Sequence, residues 1–279
     1  METGFFQFTV GNLQCTLITD GKHAYADPKA LLFPDAPAEE LASELAMHGI
    51  SADHWPCWVS DYSCLLIDTG KRKILLDTGA GEMLPEAGKV VENMRAAGIS
   101  PESVDCVLIS HAHPDHVGGA GYFPDARIVM SHREWQFWTG SPTLPRLPDD
   151  FRNLLASMVS SLLAPLRERV ELVDGDTEIA PGIRLVEAPG HTPGHLALLA
   201  ASRGEHLIYA GDAVIHEIHI RNPQWSPLVD VLPDESTRTR NRLLSEAADN
   251  RAVFVGFHLP HAGTISRDDA GFAWHQLVV

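Results

Sequence analysis

The run His111-Ala112-His113-Pro114-Asp115-His116 sets four metal-capable side chains within six residues. Before it lies an apolar, strand-like stretch (104–110), and after it Gly118-Gly119, which reads as a bend. Imidazole and carboxylate ligate zinc and similar divalent ions, and catalytic sites hold the ion while keeping a position open for water. His111 and His113 stand two apart at a strand end, so both rings can turn toward one ion. Asp115 and His116 follow Pro114 and can face a second position close by.

Further ligands are available in suggestive settings. His191 sits in the tight turn Pro189-Gly190-His191-Thr192-Pro193-Gly194-His195. Asp212 follows Tyr209-Ala210-Gly211, and His258 follows Val253-Phe254-Val255-Gly256-Phe257, both at the ends of apolar strands. Open α/β folds place their chemistry at such strand ends.

Strands are predicted at 15–19, 64–68, 73–77, 106–110, 127–130, 171–173, 183–187, 196–200, 207–210 and 252–255. The second and third are joined by the hairpin turn Asp68-Thr69-Gly70-Lys71. Helices are predicted at 38–47, 89–97, 149–169 and 236–249, the first two stopping at Gly49 and Gly98. In the third, Phe151, Leu154, Leu155, Met158, Leu162, Leu163 and Leu166 form one apolar stripe, read as core, with a subunit contact as the alternative. Early strands joined by a hairpin, followed by strands alternating with helices, predict two mixed sheets packed face to face with helices outside. Stretches 21–37, 139–148 and 219–233 read as long loops. The expected organisation is one domain over 1–279, with a loop-rich segment at about 20–60 near a pocket or a subunit interface.

The chain has 279 residues, 44% of them apolar, enough for a sizeable core. Its 21 basic and 37 acidic side chains give a formal charge of −16, which disfavours nucleic acid and anionic membrane surfaces as partners. No apolar run approaches the ~20 residues that span a bilayer. The first ten residues lack a basic start and a long apolar stretch, so a cytoplasmic location is expected. Cys15, Cys57, Cys64 and Cys106 form no Cys-x-x-Cys pair and read as reduced thiols, mostly buried. A small-molecule substrate is the expected partner, and the apolar helix 149–169 is compatible with a homodimer.

The ordered set His-x-His-x-Asp-His, Pro-Gly-His, Gly-Asp and a late strand-end histidine resembles the metallo-β-lactamase superfamily. That resemblance implies a four-layer αββα sandwich and a two-metal hydrolytic site. Carried over by position, it gives His111, His113 and His191 to one metal, Asp115, His116 and His258 to the other, and Asp212 to both. Asp77, in Leu75-Leu76-Asp77-Thr78-Gly79, matches the family's first motif as a supporting carboxylate. His195, whose neighbour His191 already fills the ligand role, is expected to steady the turn behind the ligands. Within the superfamily the chain is most similar to the methyl parathion hydrolase-like and lactonase-like branch. The similar stretches are Leu75–Ala80, His113–Gly119, Pro181–Ile183, His191–His195 and His258–Pro260. That branch places an aromatic pocket wall where Trp138 falls. Trp138 and His216, the latter just beyond Asp212, are the candidate substrate-pocket residues.

Two ions about 3.5–4 Å apart can share a hydroxide whose pKa drops from ~15.7 to near neutrality. The expected function is therefore metal-dependent hydrolysis of a small ester, lactone or phosphotriester, with Asp115 carrying a proton to the leaving group. Zinc is the expected metal, with Mn, Fe and Co also suited to mixed His/Asp ligands. Two alternatives are a glyoxalase II-like thioester hydrolase and a mono-iron persulfide dioxygenase-like protein. The first calls for basic residues near the C-terminus, where residues 259–279 offer only Arg267; the second needs only three protein ligands.

Overall fold

The computed structural model describes residues 4–269 and 271–277; the remaining ends of the 1–279 span lie outside the described residues. One sheet holds, in spatial order, β1 (Phe5–Val10), β2 (Leu13–Ala26), β3 (Cys57–Asp68), β4 (Lys73–Leu76), β5 (Cys106–Leu108), β6 (Arg127–Ser131) and β7 (Val170–Val173). The other holds β8 (Thr177–Ala180), β9 (Ile183–Glu187), β10 (Leu196–Ser202), β11 (Glu205–Gly211), β12 (Val253–Gly256), β13 (Gly263–Asp268) and β14 (Gly271–Gln276). Strands β4 to β7 are parallel, as are β11 and β12, and the other pairings are antiparallel, so both sheets are mixed. The helices are α1 (Pro28–Leu32), α2 (Ala38–Met47), α3 (Val90–Ala96), α4 (Pro114–Val117), α5 (His132–Thr139), α6 (Asp149–Leu163), α7 (Ile218–Arg221) and α8 (Pro233–Asn250).

The period-2 pattern of the strands produces the layers. On β10, Leu196, Leu198 and Ala200 enter the core shared by the two sheets. Ala197 and Leu199 face the other way and join Leu243, Leu244 and Ala247 of α8 in a second core. On β11, Leu207 and Tyr209 point inward while Ile208 and Ala210 point toward α8. At about 25 cal/mol per Å² of apolar surface, burying both faces is the main stabilising term. The αββα sandwich implied by the sequence is the fold of the chain.

Several local expectations change. Strands β1, β8, β13 and β14 were not predicted; all lie at or near sheet edges, where half-exposed residues blur the alternation. β1 does carry a signal, because Gly11-Asn12 is a two-residue hairpin link to β2. The expected loop at 21–37 is in part strand: β2 passes a bulge between Thr19 and Gly21 and runs on to Ala26, paired with β3. The bulge inserts one residue, which hides the period from a fixed two-residue count. The helix expected at 149–169 ends at Leu163, followed by a tight 3-10 turn containing Pro165. Its stripe also divides: Leu155 and Leu163 are buried, whereas Phe151 and Leu154 are 46% and 56% exposed.

Gly118-Gly119 does not act as a bend through unusual dihedrals. A Cβ on Gly118 would lie 2.4 Å from the Ala80 carbonyl oxygen, and one on Gly119 would lie 2.1 Å from that of Thr78. The pair lets the metal-capable loop settle directly on the end of β4.

Candidate metal centre

Four strand ends converge between the sheets. Asp77 follows β4, His111, His113, Asp115 and His116 follow β5, Asp212 follows β11, and His258 follows β12. The turn between β9 and β10 adds His191 and His195. All seven sequence-predicted ligands meet there. Ligand-capable atoms of His111, His113, His191 and Asp212 lie within 4.8 Å of one another, and so do those of Asp115, His116 and His258.

Asp212 reaches both groups. Its Oδ2 is 3.4 Å from His191 Nε2 and 3.9 Å from His111 Nε2, while Oδ1 is 3.3 Å from His116 Nε2. His258 Nε2 lies 3.1 Å from Asp212 Oδ2 and 3.5 Å from Asp115 Oδ2. The Gly-Asp pair has a steric reason: Gly211 has φ +51°, and a Cβ there would meet His195 Nε2 at 2.8 Å.

The outer nitrogens of four imidazoles are held from behind. His111 Nδ1 is 3.1 Å from Ser110 Oγ, His116 Nδ1 is 2.8 Å from Asp77 Oδ2, His191 Nδ1 is 3.0 Å from Asp230 Oδ1, and His258 Nδ1 is 2.8 Å from Ser60 Oγ. Donation through Nδ1–H fixes the tautomer and leaves Nε2 with a lone pair facing inward. Inward-facing His111 Nε2, His116 Nε2 and Asp212 Oδ1 are buried without a hydrogen-bond partner. His113 turns the opposite edge, with Nδ1 2.9 Å from His191 Nε2. Buried polar atoms left unpaired cost about 1–3 kcal/mol each, so a cluster of them aimed at one point fits a cation.

Charge supports the same fit. Burial alone would raise Asp212, but His258 and His116 outweigh it and hold the carboxyl well below its ordinary range, ionised. Burial, with His116 and His113 adding to it, keeps His111 well below its usual value and therefore neutral. A neutral imidazole and an ionised carboxylate are the forms that bind metals. At His116 and His258 burial is outweighed by Asp212 and the neighbouring carboxylates, so both values are raised and both rings would release a proton to a cation.

Asp77 sits behind His116. Its carboxylate accepts from the Ser110 N–H, the Ser110 hydroxyl and the Tyr209 hydroxyl, besides His116. It does so from a left-handed backbone with φ 58°, costly for a residue with a Cβ. His195 belongs to neither ligand group; its Nε2 accepts from the Asp212 backbone N–H at 3.1 Å.

The two predicted pocket residues have other places. A cavity of about 240 Å³ opens above the cluster, and neither Trp138 nor His216 is among its lining residues. The Trp138 ring packs behind His113 and its indole N–H donates to Glu134. The His216 ring stands behind Trp58, beside Phe33 and Trp55. The cavity wall is apolar instead: Leu31, Leu32, Trp58, Met83, Phe151 and Met158 are prominent, with Tyr25, Tyr62 and His23 among its few polar side chains.

Some supporting residues escaped the sequence. Glu134, fully buried, accepts from the Ala112 and Gly194 N–H groups, the Thr192 hydroxyl and Trp138, tying both histidine loops to α5. Its only sequence signal, Ser131 three residues ahead, reads as an ordinary capping box. Asp230 and Arg240 form a buried ion pair at 3.3 Å behind His191, and Arg240 also donates to the Ala213 carbonyl beside Asp212. Nothing local to either residue announces this.

Known proteins agree with the geometry. A Bacillus N-acyl homoserine lactonase is 29% identical over 164 residues, 52% of this chain and 58% of that protein. The chain thus spans less than two thirds of the length of such curated relatives. A solved structure described as AidC, a dizinc quorum-quenching lactonase with a product, superposes with TM-score 0.89 at 25% identity, covering 99% of this chain and 98% of the other. The hydrolase AbOPH of the beta-lactamase superfamily superposes with TM-score 0.87 at 26% identity, covering 99% and 98%. The metallo-beta-lactamase superfamily matches residues 58–258, so the chain belongs to that superfamily.

Proposed function

We propose that the chain is a metal-dependent hydrolase of small neutral esters or lactones bearing an apolar arm. The observation that carries this reading is the convergence of seven ligand-capable residues, several with unpaired inward atoms, at the floor of an apolar cavity. His111, His113 and His191 would hold one divalent cation, Asp115, His116 and His258 a second, and Asp212 both, with Asp77 and His195 as supports. Zinc is the first choice of metal, and the dizinc lactonase neighbour supports it. Such cations acidify water and polarise a carbonyl or phosphoryl oxygen when bound.

The chain's own residues then divide the work. Leu31, Trp58, Met83 and Met158 exclude water and receive the apolar arm. Asp115, the most exposed of the seven with 15% of its side chain open, faces the cavity and carries a proton to the leaving oxygen. Seven convergent ligands favour this reading over a single-iron dioxygenase. The N-acyl homoserine lactonase relatives favour a lactone over a thioester.

We further propose a cytoplasmic location, supported by four free cysteines, and a homodimer, supported by the exposed Phe151 and Leu154. No described helix is long and apolar enough to cross a membrane. Sedimentation of the pure protein tests the dimer. A kinetic panel of N-acyl homoserine lactones, simple lactones, aryl esters, thioesters and phosphotriesters, run on metal-defined enzyme, tests the activity. Lactones or esters are expected to lead the panel; a lead by thioesters, or a requirement for iron and oxygen, overturns the proposal.

A further inference from the structure

The hairpin of β2 and β3 contributes more than apolar wall. Its inward face carries Trp58, Ser60 and Tyr62 on β3, with His23 and Tyr25 opposite on β2. Ser60 holds His258, and the other four side chains line the cavity. The Tyr25 and Tyr62 hydroxyls are 2.5 Å apart and hydrogen-bonded.

Two phenols carry two protons, and their mutual hydrogen bond uses one. The second proton has no acceptor among the described residues. It belongs to a rigid pair. Tyr25 stacks on Trp58 with centroids 5.4 Å apart and meets the His23 ring edge-on at 4.8 Å. Tyr62 stacks on Phe257 at 5.5 Å and meets the His258 ring at 5.4 Å. A donor held by packing on both sides pays little reorganisation when a ligand arrives. In a mostly apolar cavity, an unspent hydroxyl proton selects for an acceptor oxygen on whatever fills it.

We propose that Tyr25 and Tyr62 act as one hydrogen-bonding unit that donates to an oxygen of the bound substrate, orienting it over the metal-capable cluster. The pair selects for substrates with an acceptor oxygen close to the scissile bond and discriminates against purely hydrocarbon arms. The inference rests on the hydrolase reading above, and it requires neither phenol to change its charge.

The test is a double-mutant cycle with Tyr25→Phe, Tyr62→Phe and the double variant. Three quantities are measured: kcat/KM on N-hexanoyl homoserine lactone, calorimetric affinity for its ring-opened product, and metal content. Each single variant is expected to lose about tenfold in kcat/KM and to bind the product more weakly, with metal content unchanged. The double variant is expected to lose little more than the worse single one, because one unit has already been broken. Wild-type values in the single variants for both turnover and product binding overturn the inference while leaving the hydrolase reading intact. Additive losses also overturn it, as does loss of metal, which marks a structural role for the rings. A wild-type protein that neither cleaves the lactone nor binds the product removes both proposals together.

Discussion

The two halves of the metal-capable cluster are built differently. His111, His113, His191 and Asp212 are all buried, and the residues behind them are buried and charged: Asp230 paired with Arg240, and Glu134 with its four donors. Asp115, His116 and His258 straddle the two sheets, and Asp115 opens onto the cavity. Behind His258 stand a hydroxyl, Ser60 Oγ, and the Asp61 carbonyl at 3.2 Å. Behind His191, the enclosed half is thus held by an ion pair in which each charge depends on the other. In the open half, His258 rests on neutral groups with a substitute at hand, whereas His116 leans on the buried Asp77 carboxylate. Buried polar networks lose heavily when one member goes, whereas neutral contacts degrade gradually.

Asp212 belongs to both halves, so Asp212→Ala gives the largest effect. Metal content is expected to fall from about two ions per chain to nearly none, with turnover lost alongside. Elemental analysis together with lactone kinetics checks this, and one ion retained with activity would confine Asp212 to a single half.

The comparison itself is broken or sharpened by removing equivalent supports. Asp230→Ala takes away the partner of His191 Nδ1 and strands the Arg240 charge, which is fully buried. Stability is expected to drop by about 3–5 kcal/mol in chemical denaturation. Metal affinity of the enclosed half should weaken ~10–100-fold by competitive chelation. Ser60→Ala removes the matching partner of His258, but the Asp61 carbonyl can take over the Nδ1 proton. A loss of only about threefold in affinity of one ion is expected, within the worth of one neutral hydrogen bond. Equal losses in the two variants would dissolve the distinction between the halves.

The two halves also differ in how much of them the sequence discloses. The ligand-capable residues lie at strand ends or in a tight turn within short motifs, because such chemistry needs particular residue types and the backbone needs glycine or proline beside them. His111–His116, Pro189–His195 and Gly211-Asp212 carry that signature on their face. Supports need only the right atom at the right place. Asp230 lies 39 residues from His191, and Ser60 lies 198 from His258, separations that no local pattern records. The core strands were legible through period-2 burial. The β2–β3 extension was not, because the bulge at Thr19/Gly21 shifts the count, and with it went the pocket roles of Tyr25, Trp58 and Tyr62. Trp138, picked out by resemblance to a branch with an aromatic wall there, and His216, close to Asp212 in sequence, both stand one layer back in space.

Acid titration of one wall residue gives the smallest effect. His216 stands behind the Trp58 wall of the open half, and burial, followed by the nearby His48 charge, lowers its pKa to about 3. The residue is partly buried overall, but Phe33, Trp55 and Trp58 surround its ring. In the unfolded chain the same imidazole titrates near its ordinary ~6.5. Between those values the unfolded state binds the extra proton, so stability rises with pH and is lost on acidification from about 6.5 downward. The slope from this one group is at most about 1.4 kcal/mol per pH unit. On the enclosed side, Asp230 is depressed: burial opposes ionisation, but the His191 hydrogen bond and the Arg240 charge outweigh it. Its contribution is present above the usual carboxylate pKa and is lost only as pH falls below that value. His216→Asn keeps an acceptor for the Ile218 N–H, which now meets Nδ1 at 3.2 Å. The variant is expected to lessen, by this one group's share, the fall in unfolding free energy between pH 6.5 and about 4. His111, His113, His195 and His219, also lowered by burial, contribute the rest, and the acid limb stays in place. Urea denaturation across that range measures both limbs; an unchanged slope would mean that the wall behind Trp58 admits the proton without unfolding.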